Sequence, residues 1–280
     1  MNFESCGAGM QTTALTLMSC ENALHDRPVY PLVPVYDGVF FADLGCEPAW
    51  VYDQVEFLSR ACGKSGIPFY VIRTDLYGHY MRNFGRARVV SIPFWSIDED
   101  GKKGKMMRNC TLDFKIKVIQ KFIKFNLLGY RMDGDKRTRD EDRKAHTMHI
   151  GFSAEEAQRI FDNPHPMFIN QFPLKEMGWV RADSYRYCLE RWGLKTKASA
   201  CTVCPFHRNF FFRYLKRHYP ADYAAAVAFD ELLEQEQANT KIRSKLYISR
   251  SRKRLAELTD EDCNDAEYFD YRGKAVWNGF

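Results

Sequence analysis

The chain has 280 residues, 45% of them hydrophobic and 15% aromatic, with a formal net charge of +5. That is enough apolar material for a large core, in one large domain or two small ones. No window approaches 18 apolar residues, and no basic segment followed by an apolar run opens the chain, which argues against a membrane span and a signal peptide and points to the cytoplasm. Nine cysteines, an odd number, then read as free thiols, metal ligands or catalytic groups instead of a disulfide framework.

The first informative stretch is Ser5–Leu15, "SCGAGMQTTAL". Glycines weaken regular structure and mark a backbone that must turn sharply or approach something closely. A short strand, this loop and a Thr-rich helix start build an anion site, because the unpaired N–H groups and the dipole of a helix N-terminus both favour negative charge. Ser5, Thr12 and Thr13 would add hydroxyl donors. A tight turn without a ligand is the alternative, since the loop is neither GxxxxGK[ST] nor GxGxxG.

Further along, Val39–Ala42 is an apolar run ending at Asp43, a buried strand. "PAWVYDQVEFLSRA", Pro48–Ala61, spaces apolar residues by three and four behind an opening proline, as a helix does. Pro68–Ile72 reads as a second strand, with Arg88–Val90 and Met148–Ile150 as weaker ones. Leu112–Leu128 has helical spacing. Residues 131–145, nearly devoid of apolar side chains, read as a mobile surface insert. Ser153 and Glu156 are spaced as a capping box opening a helix. From Tyr185 onward the pattern is mostly helical. Strands alternating with helices imply an α/β fold with a parallel sheet of about five strands, in a nucleotide-binding part over 1–184 and a helical part over 185–280. In such a sheet ligands bind outside the carboxyl ends of the strands, where the glycine loop and "ADLGCEP" would both lie.

These stretches, with "RNCTLDFKIKVI" (108–119), "IGFSAEEAQRI" (150–160), "FPLKEMGW" (172–179) and "CTVCPF" (201–206), resemble the PP-loop nucleotide-binding superfamily, and within it phage-type proteins similar to phosphoadenosine phosphosulfate (PAPS) reductase. The resemblance covers roughly residues 2–230. It implies a Rossmann-like, adenine nucleotide alpha hydrolase-like sheet that binds ATP or PAPS. Ser5, Gly7, Gly9, Gln11, Thr12 and Thr13 would surround the phosphates, and Asp43 and Arg73 would lie by the ribose and adenine. Arg108, Lys115 and Arg181 read either as cations that bind anions near these groups or as ordinary surface cations. Asp43, Cys110 and Lys115 are the expected catalytic groups. ATP-splitting members have an acidic residue where this chain has Gln11, and a neutral amide is a poor Mg²⁺ ligand, which tilts toward the reductase-like branch.

Cys201 and Cys204 form a CxxC, a spacing that suits one metal, one cluster or a redox pair. Pro205 keeps them out of a helix. Cluster-bearing relatives supply two further cysteines from a "CCxxRK" stretch; here the first of that pair is Asn109. The resemblance thus implies a [4Fe–4S] cluster held by Cys110, Cys201 and Cys204, with one iron open to carry sulfur. A zinc site completed by His207 is the alternative. Cys20, Cys62, Cys188 and Cys263 read as packing residues, Cys6 as a neighbour of the phosphate loop, and Cys46 as either a small residue in a tight turn or a group beside the site.

Two reactions follow from the resemblance: transfer of sulfur to a nucleotide-activated acceptor such as a nucleobase, or reduction of a sulfonucleotide, with a sulfur- or electron-donor protein as partner. The reductase needs a nucleophilic cysteine near the C-terminus, and "YRGKAVWNGF" has none, which favours transfer. Residues 243–254, "RSKLYISRSRKR", hold six cations and no acid. They read as a solvated basic helix face or as a DNA or RNA contact. A non-catalytic nucleic-acid-binding protein with a structural zinc remains open on the same residues.

Overall fold

The strand β2 (Gly38–Asp43) has every residue buried, as a central strand covered on both faces must. In this computed structural model it pairs in parallel with β1 (Asn2–Cys6) on one side and β3 (Phe69–Arg73) on the other. The sheet continues in parallel from β1 to β8 (His146–Ile150) and β9 (Phe168–Gln171), giving five strands in the order β3-β2-β1-β8-β9. The structure describes residues 1–84, 92–130, 145–163, 165–237 and 242–264, and the backbone of the small hairpin β6 (Met132–Asp133) and β7 (Lys136–Arg137). The expected strand at Arg88–Val90, most of the 131–145 insert and the C-terminal tail lie outside the described residues.

Helices cover both faces. On one, α1 (Met10–Ala23) and α2 (Ala49–Lys64) join α6 (Arg181–Trp192), α7 (Asn209–His218) and α8 (Pro220–Gln237) in the larger apolar core. On the other, α4 (Lys117–Phe122), flanked by wide helical turns at Leu112–Ile116 and Ile123–Leu127, packs Ile119 and Ile123 against Phe3, Phe40, Met148 and Phe168. The alternation of β1 fits this division: Phe3 faces α4, whereas Cys6 faces the α1 core. Two short helices, α3 (Leu76–Asn83) and α5 (Pro173–Glu176), complete the covering.

Several expectations need correction. The capping box at Ser153–Glu156 opens only a 3-10 segment, Ala154–Arg159, and the Ser153 side chain caps no backbone group. The Glu156 carboxylate has turned instead to Gln11 and Arg159. The fifth strand is Phe168–Gln171, which the apolar pattern did not mark. The region after Tyr185 is not continuously helical, because residues 193–208 form an irregular strap carrying the CxxC. The 184/185 boundary falls inside α6, which packs on α1 in the same core as α2. The basic run is no helix face. It includes β10 (Lys245–Tyr247), which pairs antiparallel with β4 (Trp95–Ile97), itself paired with β5 (Lys103–Lys105). No helix among the described residues is long and apolar enough to cross a membrane.

Candidate functional site: a strap joins the glycine loop to the thiols

The chain runs β1, β2, β3 outward and then returns to β8 on the far side of β1, so the strand order reverses between β1 and β8. At such a switch point the loops after the two strands part and leave a crevice at the carboxyl edge. Here those loops are Gly7–Gly9 and Gly151. Gly151 lies directly over the α1 N-terminus: a Cβ there would meet the Thr12 nitrogen at 2.9 Å and its Cγ2 at 2.8 Å. Gly9 is the N-cap of α1, and its carbonyl accepts the Thr13 amide (2.9 Å) and the Thr12 hydroxyl (3.3 Å). Between the two glycines Ala8 adopts φ 53°, a left-handed conformation uncommon for a residue with a side chain.

The expected phosphate residues divide once placed. Ser5 points to the α4 face, where it lines a narrow cleft with Ile119, Gln120 and Asn163. Thr13 is fully buried beneath the loop. Gln11 donates to the Glu156 carboxylate at 2.6 Å, and Arg181 stands 3.8 Å from the same group. A carboxylate therefore does sit beside position 11, supplied by another element. Asp43, at the end of β2, accepts from the Gly45 amide (2.8 Å) and the Tyr52 hydroxyl (3.0 Å), while exposed Arg73 ends the neighbouring strand in register with it.

Gly7 and Gly9 face a protein segment. A Cβ on Gly9 would meet Ser199 at 3.1 Å (Oγ) and 3.3 Å (N), and one on Gly7 would meet the same Oγ at 3.5 Å. Ser199 belongs to the strap, which two side chains of α2 hold in place. Trp50 Nε1 donates to the Ala198 carbonyl at 2.9 Å. One turn on, buried Gln54 accepts the Lys197 amide at 2.5 Å and donates to the Ala8 carbonyl. The strap then crosses to the turn after β2, where the Thr202 amide and hydroxyl both donate to the Cys46 carbonyl, at 2.8 and 3.2 Å.

That link brings Cys46 against Cys201. Burial, the Cys201 thiol and the charge of Glu47 all hold the Cys46 thiol far above its usual range. Burial and Cys201 also push Cys204 up to about 12, with Arg108 opposing and Cys110 reinforcing the shift. Beside them Lys115 reaches Glu47 at 3.1 Å; the Glu47 side chain is wholly buried and its second oxygen has no partner. Burial works to lower the Lys115 pKa, but the charges of Glu47 and Cys201 outweigh it and raise the value. Cys110 stands in the first helical turn before Leu112. Thus Cys110, Cys201, Cys204, Arg108 and Lys115 gather at one place, joined by Cys46 and Glu47.

The donors suit a soft metal or cluster, but as the side chains stand no three His, Cys, Asp or Glu among the described residues form a coordination group. His207 is turned to another task. Its Nε2 lies 2.9 Å from the Cys201 carbonyl, which can only accept, so this nitrogen carries the proton and pins the CxxC turn. The ring stacks on Phe211 at 3.5 Å. Sequence reasoning missed Trp50, Gln54, Glu47, Glu156 and Ser199, whose roles exist only across long separations. Cys20 and Cys62 are buried with their sulfurs 3.8 Å apart, and Cys188 and Cys263 are buried as well. The chain matches no family model, no curated protein and no solved structure.

Proposed function

We propose that the chain is a PP-loop-type enzyme that binds an adenine nucleotide, ATP or PAPS, at the carboxyl edge of the sheet and handles sulfur at the adjoining thiols. The observation that supports this reading is the Thr202–Cys46 link, which sets the CxxC beside the turn after β2 on the edge that also holds the glycine loop. In this reading the α1 N-terminus with Arg181 faces phosphate, Asp43 faces the ribose, and Lys115 offsets negative charge developing near Cys201. An iron–sulfur cluster, or zinc in its place, is the group the PAPS-reductase resemblance implies. Cys110, Cys201 and Cys204 would hold it after side-chain rearrangement, and it would supply bound sulfur or structural anchoring respectively.

Sulfur transfer is favoured over sulfonucleotide reduction because Cys263, the most C-terminal cysteine, is only 2% exposed and unavailable as a nucleophile. Calorimetry with ATP, PAPS and adenosine, on protein purified without oxygen and analysed for iron, sulfide and zinc, tests the reading. The expected result is binding of the phosphate-bearing ligands with protection of Cys201 and Cys204 from alkylation. Absence of nucleotide binding overturns it. Zinc without sulfide, together with no nucleotide binding, leaves the non-catalytic nucleic-acid-binding reading.

A further inference from the structure

The surface next to Cys204 combines an exposed ring and a half-buried one with cations that have no carboxylate partner among the described residues. Phe206, two residues beyond Cys204, is 44% exposed. Trp95 of β4 is half-buried, and its Nε1 donates to the Pro205 carbonyl at 2.8 Å, which ties this ring to the end of the CxxC turn. Lys105 of β5 lies between them, 4.6 Å from the Phe206 ring centre and 5.3 Å from that of Trp95. Arg108 covers Phe206 at 5.2 Å, and Arg250 covers Trp95 at 5.9 Å. Arg252, itself left-handed at φ 58°, spends its guanidinium on the Ser96, Gly104 and Arg250 carbonyls and so fastens the 250–252 turn to β4 and β5.

Three other cations of the 243–254 run face carboxylates. Arg254 pairs with Asp230 and Glu234, Lys253 with Asp262, and Arg243 approaches Glu99 at 3.9 Å. By contrast Lys105, Arg108 and Arg250 have no carboxylate partner among the described residues, and Arg108 bonds only the Thr111 hydroxyl. Rings interleaved with such cations suit a strand whose phosphates alternate with unstacked bases. A duplex hides its base faces from such rings.

We propose that the face formed by Trp95, Lys105, Arg108, Phe206 and Arg250 docks single-stranded nucleic acid, with a base on Phe206 leading toward Cys204. The proposal rests on the sulfur-site reading only for what the strand is brought to; docking itself is independent of nucleotide binding.

Fluorescence anisotropy with labelled 20-mers tests it, using single-stranded DNA, single-stranded RNA and the matching duplex. Both single strands, or one of them, should bind more tightly than the duplex, the preferred sugar identifying the source. The affinity should fall with salt at a logarithmic slope of about −2, as three phosphate contacts to a single strand give. Lys105→Glu combined with Arg250→Glu should weaken binding at least tenfold. Phe206→Ala should weaken it several-fold without altering the slope. Lys64→Glu, an exposed charge at the far end of α2, should change nothing. Circular dichroism and ATP or PAPS calorimetry on the same variants show whether the fold and the nucleotide site are intact. No binding at low salt, equal loss in Lys64→Glu, a preference for duplex, or an unaffected Phe206→Ala overturns the proposal. Oligonucleotide binding that persists while nucleotide binding is absent supports it and sinks the enzymatic reading alone.

Discussion

The side-chain amide of Gln54 donates to the carbonyl of Ala8, the one left-handed non-glycine residue of the glycine loop. The same amide accepts the Lys197 N–H, so one buried side chain ties the loop to the strap. Gln54→Ala should destabilise the protein by about 2–4 kcal/mol, since a buried backbone group left unpaired costs about 1–3 kcal/mol. Denaturant titration measures it. Limited proteolysis should also show faster cutting within 193–208. Unchanged stability and unchanged cutting would mean the strap is held elsewhere.

Gly9→Ala should cost about 1–2 kcal/mol, because the new methyl meets Ser199 at 3.1 and 3.3 Å and a well-packed site resists added atoms. Ser199→Gly removes the Oγ contact but not the backbone one. The double variant should therefore regain part of the loss, and additive effects in a double-mutant cycle would refute direct contact.

The Glu47–Lys115 pair yields an asymmetric expectation. Lys115→Met strands the buried Glu47 carboxylate and should destabilise by about 2–4 kcal/mol, less than a fully buried pair because the Lys115 side chain retains 28% exposure. Replacing both, as in Glu47→Leu with Lys115→Met, should recover much of this. Lys115 titrates above its unfolded value, so its contribution is complete below about pH 10.4 and fades at higher pH. Thermal melts of the single and double variants from pH 7 to 11 check both points. A single variant as stable as the double would argue against the pair.

Histidine 207 works in the opposite direction. Burial holds it down to about 4, so the folded protein keeps it neutral while the unfolded chain protonates it near 6.5. Its contribution is present above pH 6.5 and is lost as the pH falls toward 4, on the order of 3 kcal/mol in all. Urea midpoints at pH 7 and pH 5 should differ more in the parent than in His207→Gln. Equal differences would remove His207 from the acid response.

What could be read in advance was whatever local pattern determines. The strands at Val39–Ala42 and Pro68–Ile72, the helix behind Pro48 and the strand–glycine loop–helix order all rest on contiguous residues, and all four formed. The CxxC was visible, as was Cys110. The partnership of Cys46 was not, because it depends on a Thr202 contact across 156 positions. The strap has no period to detect. Ser153 and Glu156 have capping-box spacing, but their outcome was decided by Gln11, 145 positions away from Glu156. The basic run showed its charges and hid the carboxylates of α8 and Asp262 that pair with Arg254 and Lys253.

The placement of β1 between β2 and β8 also sets the order in which the fold can complete during synthesis. The middle strand is made first, and its two neighbours follow at residues 38–41 and 147–150. A nascent chain that has reached α4 can pair β2 with both β1 and β3, but the other side of β1 stays an open edge until β8 leaves the ribosome. Such an edge is a template for stray pairing. Slow translation between α4 and β8 would lengthen that exposure, and faster passage through the same codons would shorten it, with no change in the finished protein.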